Sequence, residues 1–600
     1  MKQVSFVHQG VKSTQRILMY LTVSSAVKRV GFGLLLTLLS GCQEPEKTQS
    51  TESLKPSLKH YSERDIRDEV FYFVLPDRFS NGDPSNDQGD PEQPESYGGY
   101  DPTSPGHYHG GDLLGLTQRL DYLKEMGVTA IWLTPVLRNL AVQGDSSGYH
   151  GYWPIDFTSI DPHLGSNEAL KTLIDEAHQR NMKVFFDIIT NHTADVIKYR
   201  ECHLPDAPKF STDMQLCEYR DRAMTKAGQG YTPYLIEGTE TLKHPSWLND
   251  PRFYHNQGDS TWTGENSVYG DFMGLDDIDT DNPEVVNGMI QIFNNIIKEF
   301  KPDGFRVDTV KHVNIEFWQQ FTPAIMAFAQ QQGITNFFVF GEVYSGDPKE
   351  LSYYTTTGKM PSVLDFAFQY KVKDALIYGK GTDQLSELFA QDKLYLDEDS
   401  HAGLLMNFIS NHDVGRFAFT LQQQLPQASE ANLLRRVQLA NAMMFLLRGV
   451  PVIYYGDEQG FTGDGGDRGA REDMMMSKTP QYNDNDLLGT DATTADNNFD
   501  EQHPLYQSFK YYAQIYRQFK ALRLGDQEVI IDSSTPGIFL VKRSYDDQSL
   551  WVAINTAESS QSISLDSVSQ SLAPIVNNSR LQRQSEKTWI LEPLSFAIFQ

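Results

Sequence analysis

From residue 69 to about 460 the chain repeats one rhythm, a short apolar run followed by a longer stretch whose apolar positions recur every three or four residues. The runs fall at 70–75, 128–134, 184–189, 304–310, 337–340, 363–368, 404–409 and 450–455. Runs this short, apolar on both faces, read as strands of a covered parallel sheet. Between them Leu170, Leu173, Ile174 and Ala177 keep helical spacing, as do Val286, Ile290, Phe293 and Ile297 after Pro283, a residue suited to a first helical turn. A further helix, from about 429 to 448, stops at Gly449. Eight strands alternating with helices predict an α/β fold of the (β/α)8 TIM-barrel type, which gathers chemistry at the C-terminal ends of its strands. Polar residues stand at those ends: Asp77 and Arg78, Asn191 and His192, Asp308, Glu342, Asn411 to Asp413, Asp457 and Glu458.

The rhythm breaks in three places. Residues 193–270, rich in Tyr, Pro, Asp and Gly, are too long for a structureless barrel loop and read as an inserted subdomain after strand 3. The barrel is therefore expected over 67–192 and 271–525. Beyond it, alternating residues around the turn Tyr545-Asp546-Asp547 predict a C-terminal antiparallel β-sandwich over 526–600. At the other end, Lys28 and Arg29 precede a short apolar run that closes in Leu39-Ser40-Gly41-Cys42. Residues 1–42 read as a targeting segment whose apolar run, Val30 to Leu39, is too short to span a bilayer comfortably, and 43–66 as a polar tether. The close resembles a bacterial lipobox, which implies lipidation of Cys42, a cell-envelope location and membrane contact only through that anchor. With Gln43 next, the resemblance implies outer-membrane sorting in a Gram-negative cell; an ordinary signal peptide is the alternative.

A net charge of −28 argues against nucleic acid or an anionic membrane surface as partner. Aromatics at 12% leave rings to spare for stacking on sugars. Cys202 and Cys217 would close a short loop in an oxidising compartment or remain as two thiols, and no Cys/His spacing suggests zinc.

The densest chemistry is Gly304-Phe305-Arg306-Val307-Asp308-Thr309-Val310-Lys311-His312. Arg306 and Asp308 lie two apart, on one face of a strand, where a guanidinium would keep a nucleophilic carboxylate ionised. Alone such a pair is more often a structural ion pair. It comes with Asp187-Ile188-Ile189-Thr190-Asn191-His192, Phe340-Gly341-Glu342-Val343 and Phe408-Ile409-Ser410-Asn411-His412-Asp413, each closing a predicted strand. Four such blocks in this order resemble the α-amylase superfamily of glycoside hydrolases, over nearly all of 69–600. The resemblance implies cleavage of α-1,4 links in starch-like polysaccharides or maltooligosaccharides. It assigns Asp308 as nucleophile, Glu342 as general acid/base and Asp413 as the carboxylate that grips the distorted ring. Retaining hydrolysis requires one ionised and one protonated carboxyl group, and the apolar run before Glu342 would favour its proton. By the same likeness His150, His192 and His412 bond the glucose at the cleaved site, Tyr152 stacks on it, and Lys311 and His312 touch the leaving side.

Asn81, Asp83, Asn86 and Asp87 crowd oxygen ligands into one turn, as Ca²⁺ requires, although such residues also suit a plain turn. The loop resembles the calcium loop of cyclodextrin glucanotransferase-like members, which implies that the Gly110 carbonyl and Asp112 join it. A second Ca²⁺ site is implied at Asn191, Asp277 and the His312 carbonyl. The segment 274–279, Tyr344 and the loop 464–476 with Arg468 and Arg471 depart from the family pattern, which leaves pullulanase-, cyclodextrinase- and transferase-like activities open. A non-catalytic glucan-binding protein on the same barrel is the reading from another class.

Overall fold

The computed structural model describes residues 58–203, 217–565, 572–579 and 581–600; Cys42 and the tether as far as residue 57 lie outside them. Eight parallel strands form the centre: β1 (Phe71–Val74), β2 (Ala130–Leu133), β3 (Lys183–Ile188), β4 (Gly304–Val307), β5 (Phe338–Gly341), β6 (Ser362–Val363), β7 (Met406–Phe408) and β8 (Val450–Tyr454). They pair in the order β6-β5-β4-β3-β2-β1-β8-β7, and a bridge from Leu364 to Met406 joins the ends into a barrel. Every residue of these strands is buried, as a sheet covered on both faces demands. Inside, the rings of Phe71, Phe185 and Phe340 meet edge to face with centroids 4.8 and 5.8 Å from Phe71, so the lumen is packed core.

The surrounding helices are α1 (Leu120–Met126), α2 (Asn167–Gln179), α3 (Pro283–Phe300), α4 (Ile315–Gln331), α5 (Pro348–Thr356), α6 (Phe366–Leu376), α7 (Glu430–Leu446) and α8 (Pro504–Gln518). Ser166, Asn282, Asp347, Asp365 and Ser429 cap five of them by accepting a first-turn amide. The cap at Asp365 corrects the expected sixth strand. That run is a strand only over Ser362–Val363, because Asp365 takes the amide of Phe368 and starts α6.

The expected tether is also shorter than 43–66. Arg64 is fully buried beneath the barrel, bonded to Glu69, while Asn336 and Asn181 hold the backbone of residues 61–64. The inserted subdomain is built from Ile197–Tyr199 paired with Pro233–Leu235, and His192–Thr193 paired with Asp276–Asp277. It thus reaches past 270 to Asp277. Cys202 and Cys217 are disulfide-bonded, closing a loop over a separation of 15 residues.

The C-terminal strands are β9 (Asp526–Ile531), β10 (Ile538–Tyr545), β11 (Gln548–Asn555), β12 (Gln561–Ser564), β13 (Pro574–Asn577), β14 (Leu581–Arg583), β15 (Thr588–Leu591) and β16 (Ser595–Phe599). They make antiparallel sheets ordered β9-β10-β11-β16-β13 and β12-β15-β14. Phe539, Val541, Val552, Ile554 and Ile598 belong to the same continuous core as the barrel, whereas Leu540, Ala553, Ile563 and Leu591 form a second core between the sheets. Among the described residues no helix is long and apolar enough to cross a membrane.

Candidate active site

Parallel register assembles the site. Arg306 on β4 is the partner of Asp187 on β3 and of Phe340 on β5. One layer higher, Val307 pairs with Gly341, so Asp308 and Glu342 follow side by side at the strand ends. Arg306 has no exposed surface; its Nη1 lies 2.7 Å from Asp187 Oδ1 and 2.8 Å from Asp308 Oδ1, and its Nη2 3.0 Å from Glu342 Oε2. One guanidinium therefore serves three acids. The side chains of Asp308 and Glu342 are each 8% exposed.

This sharing changes the electrostatics expected from the sequence. Burial raises the Asp308 carboxyl well above the usual range; Arg306 opposes the rise, and Glu342, Asp187 and Asp413 add to it. Arg306 pulls toward ionisation without overcoming the desolvation of the free site. Asp187 is pushed up to about 6 by burial, against Arg306 and the hydroxyl of Tyr152. Asp413, the most open of the acids with its side chain 35% exposed, is raised to about 7 by the cleft walls and by Glu342, against Arg471 and Arg306.

Asp413 is aimed by the turn after β7, where Asn411 Oδ1 accepts the amides of Asp413 and Val414. His412 Nε2 meets the Tyr152 hydroxyl at 3.0 Å, and the two rings stack with centroids 5.6 Å apart. The same hydroxyl donates to Asp187 at 3.0 Å. His150 accepts the Tyr152 amide, and His192 Nε2 reaches the Tyr152 carbonyl at 3.2 Å. Burial holds His150 and His412 well below the usual histidine range and His192 at about 4, so all three are neutral hydrogen-bonding groups at pH 7. Lys311 donates to the carbonyl of Tyr344 at 3.1 Å, and His312 sits against Ser267, Trp262 and Phe272.

The structure adds residues that no sequence pattern marked as site members. Asp187 opened a recognised block but carried no role; its place between Arg306, Trp132 and Tyr152 makes it the floor of the pocket. Arg471 lies in the unread loop. It touches Asp413 at 3.6 Å, pairs with Asp467 at 2.7 Å and donates to the Tyr149 hydroxyl. Trp262 and Tyr344, 42% and 45% exposed, flank Lys311 and His312.

The first calcium set fits an oxygen-seeking cation. Asn81 Oδ1 and Asn86 Oδ1 are buried without a hydrogen-bond partner, while Asn81 Nδ2 bonds Asp87 at 2.7 Å. A Cβ on Gly110 would strike Asp87 Oδ1 at 2.6 Å, so glycine alone lets that backbone approach the loop. Asp112 caps Leu113–Gln118 and also receives the amides of Gly82 and Asp83; Asp83 itself is exposed and bonded to Ser85. In the second set Asp277 pairs with His192, the neighbour of Asn191, and the Asn191 side chain reaches its carboxylate, whose Oδ2 His255 Nδ1 also meets at 2.5 Å. His255, Asp279 and Asp281 form a neighbouring group whose ligand atoms lie within 4.8 Å of one another.

A family model described as alpha amylase, catalytic domain, matches residues 73–502. An alpha-amylase of Streptomyces lividans is 46% identical over 463 residues, 74% of this chain and 50% of the relative. A beta/alpha-amylase of Paenibacillus polymyxa is 32% identical over 82% of this chain and 34% of its own length, so the chain spans half or less of both relatives. Among solved structures, an alpha-amylase from Geobacillus thermoleovorans complexed with acarbose superposes with a TM-score of 0.66 at 27% identity, covering 90% of this chain and 99% of that one.

Proposed function

The chain belongs to the alpha-amylase catalytic-domain family, and from that premise we propose that it is a retaining glycoside hydrolase acting on α-1,4-glucosidic bonds of starch-like polysaccharides or maltooligosaccharides. The observation that carries this reading is the bridge of Arg306 to Asp308 and Glu342. A single guanidinium reaching both keeps the carboxyl groups close, in keeping with the roughly 5–5.5 Å of retaining enzymes rather than the wider gap that admits a water. Asp308 attacks the anomeric carbon while Glu342 protonates the departing oxygen. Glu342 then takes a proton from the water that releases the sugar from Asp308. Asp413, His412, His150 and His192 hold the ring hydroxyls, and Tyr152 forms the ring's stacking surface. Lys311, His312, Trp262 and Tyr344 receive the leaving side.

Calcium belongs to the same proposal. Asn81, Asp83, Asn86, Asp87, Asp112 and the Gly110 carbonyl would hold one Ca²⁺, whose chemistry is structural, cross-linking the loop after β1 to the stretch before Leu113–Gln118. Attachment to a membrane through a lipid on Cys42 rests on the sequence at 39–42.

Product analysis on amylose and pullulan in parallel tests the activity. Short maltooligosaccharides from amylose with little from pullulan are expected, and Asp308→Asn should lose at least about a thousandfold in kcat with its fold intact. Maltotriose from pullulan would move the assignment to α-1,6 or dual specificity. Near-native turnover by the variant would remove Asp308 from its role.

A further inference from the structure

Glu342 is gripped by the stretch on either side of the candidate nucleophile. Its amide donates to the Val307 carbonyl at 2.8 Å, and its carbonyl accepts the Val310 amide at 3.0 Å. Its Oε2 accepts the Thr309 amide at 3.2 Å. Three residues of one short segment thus hold both backbone groups and one carboxylate oxygen of a single residue. Gly341 makes the approach feasible, since a Cβ there would lie 2.7 Å from Val310 Cγ2.

The grip depends on an unusual backbone. Thr309 has φ 47 and ψ 39, a left-handed conformation disfavoured for a β-branched residue. That turn brings the amide of Thr309 onto the Glu342 carboxylate while the next amide, of Val310, meets the backbone carbonyl of the same residue. The Thr309 hydroxyl is buried and makes no hydrogen bond, so the backbone, not the side chain, is what the site uses. Arg306 Nη2 is near the same Oε2 but off the hydrogen-bond line. Among the described residues, the Thr309 amide supplies the one directed hydrogen bond to this carboxyl group, and none reaches Oε1.

Resting on the reading of Glu342 as acid/base, we propose that Thr309 is a positioning residue whose left-handed amide fixes Oε2 and leaves Oε1 as the oxygen that moves the proton. In the first half-reaction the Oε1–H bond breaks as the glycosidic oxygen takes the proton. The C1–O bond breaks as Asp308 bonds C1. In the second half, water bonds C1, its proton passes to Oε1, and the C1–Asp308 bond breaks.

The test replaces Thr309 by its α-hydroxy acid counterpart, turning the amide into an ester that keeps the side chain and deletes the N–H. Losing a donor to the anion raises the acid's pKa, so the basic limb of kcat/KM should move to higher pH. The value on amylose should fall about tenfold or more, and that on α-maltotriosyl fluoride, whose leaving group needs no proton, less than about threefold. Equal losses on both substrates, or an unmoved basic limb, would overturn the proposal. Glu342→Gln is the control: if it shows no split between the two substrates, the acid/base reading itself falls. In the unmodified protein labelled with ¹⁵N-threonine, the Thr309 amide resonance should titrate with the basic limb and stop doing so in Glu342→Gln; a flat resonance in the unmodified protein refutes the bond.

Discussion

At the scale of single residues, the site is a crowd of acids around too few cations. Asp187, Asp308 and Glu342 share Arg306, while Arg471 is divided between Asp413 and Asp467. A carboxyl raised in the folded state costs stability as pH climbs from its unfolded value of 3.8 to the folded one, here about 7 for Asp413, and the full penalty stands above that. Asp413→Asn, which mimics the protonated form, should therefore raise the melting temperature at pH 8 by about 2 °C or more and by less at pH 5, where only part of the penalty has accrued. A thermal melt at the two pH values checks this, and equal shifts at both would refute the charge argument. Asp308, Glu342 and Asp413 were legible because each ends an apolar run. Arg471 was not, because it reaches Asp413 from a loop after β8, and no spacing along the chain encodes that approach.

At the scale of elements, the strand ends carry the chemistry and two attachments tune it. The loop holding Asn81 and Asn86 buries both side-chain carbonyl oxygens without a donor, which costs free energy unless a cation is present. Chelation with EGTA should lower the melting temperature by several degrees, consistent with about 2.7 kcal/mol for a ligand at a hundred times its Kd. Asn81→Ala combined with Asn86→Ala should abolish most of that response; a double variant as sensitive as the wild type would place the cation elsewhere. The other attachment is the disulfide-closed loop of the subdomain, whose cross-link is worth about 3 kcal/mol. The sequence leaves two thiols as the alternative, because two cysteines alone do not encode their distance. The sixth strand was overcalled for a local reason: Val363 to Phe368 is apolar enough for either state, and one capping aspartate in its middle chose helix.

At the scale of the whole molecule, barrel and C-terminal sheets share one core through Phe539, Val552, Ile554 and Ile598. Arg543, fully buried, donates to the carbonyls of Leu446 and Leu522 across that junction. A chain ending at residue 525 would expose this apolar face. It should aggregate or melt more than about 10 °C lower, and the full chain should unfold in one calorimetric transition. Two separate transitions, with the shorter chain unaffected, would show independent domains. The lipid anchor is testable at this scale too. Expressed in a Gram-negative host, the protein should incorporate labelled palmitate and partition with membranes, and Cys42→Ser should do neither.

What the chain determines by itself is periodic or contiguous. Strand and helix alternation follows from apolar spacing, and the blocks ending in Asp308, Glu342 and Asp413 follow from charge placed after buried runs. Those are local facts, readable one segment at a time. What only the tertiary structure decides is how charge is shared. Parallel register sets Arg306 level with Asp187 and one layer beneath Asp308 and Glu342, the turn at Thr309 delivers an amide to Glu342, and His255 settles on Asp277. Protonation depends on distance and desolvation in three dimensions, and those quantities do not exist until the barrel closes.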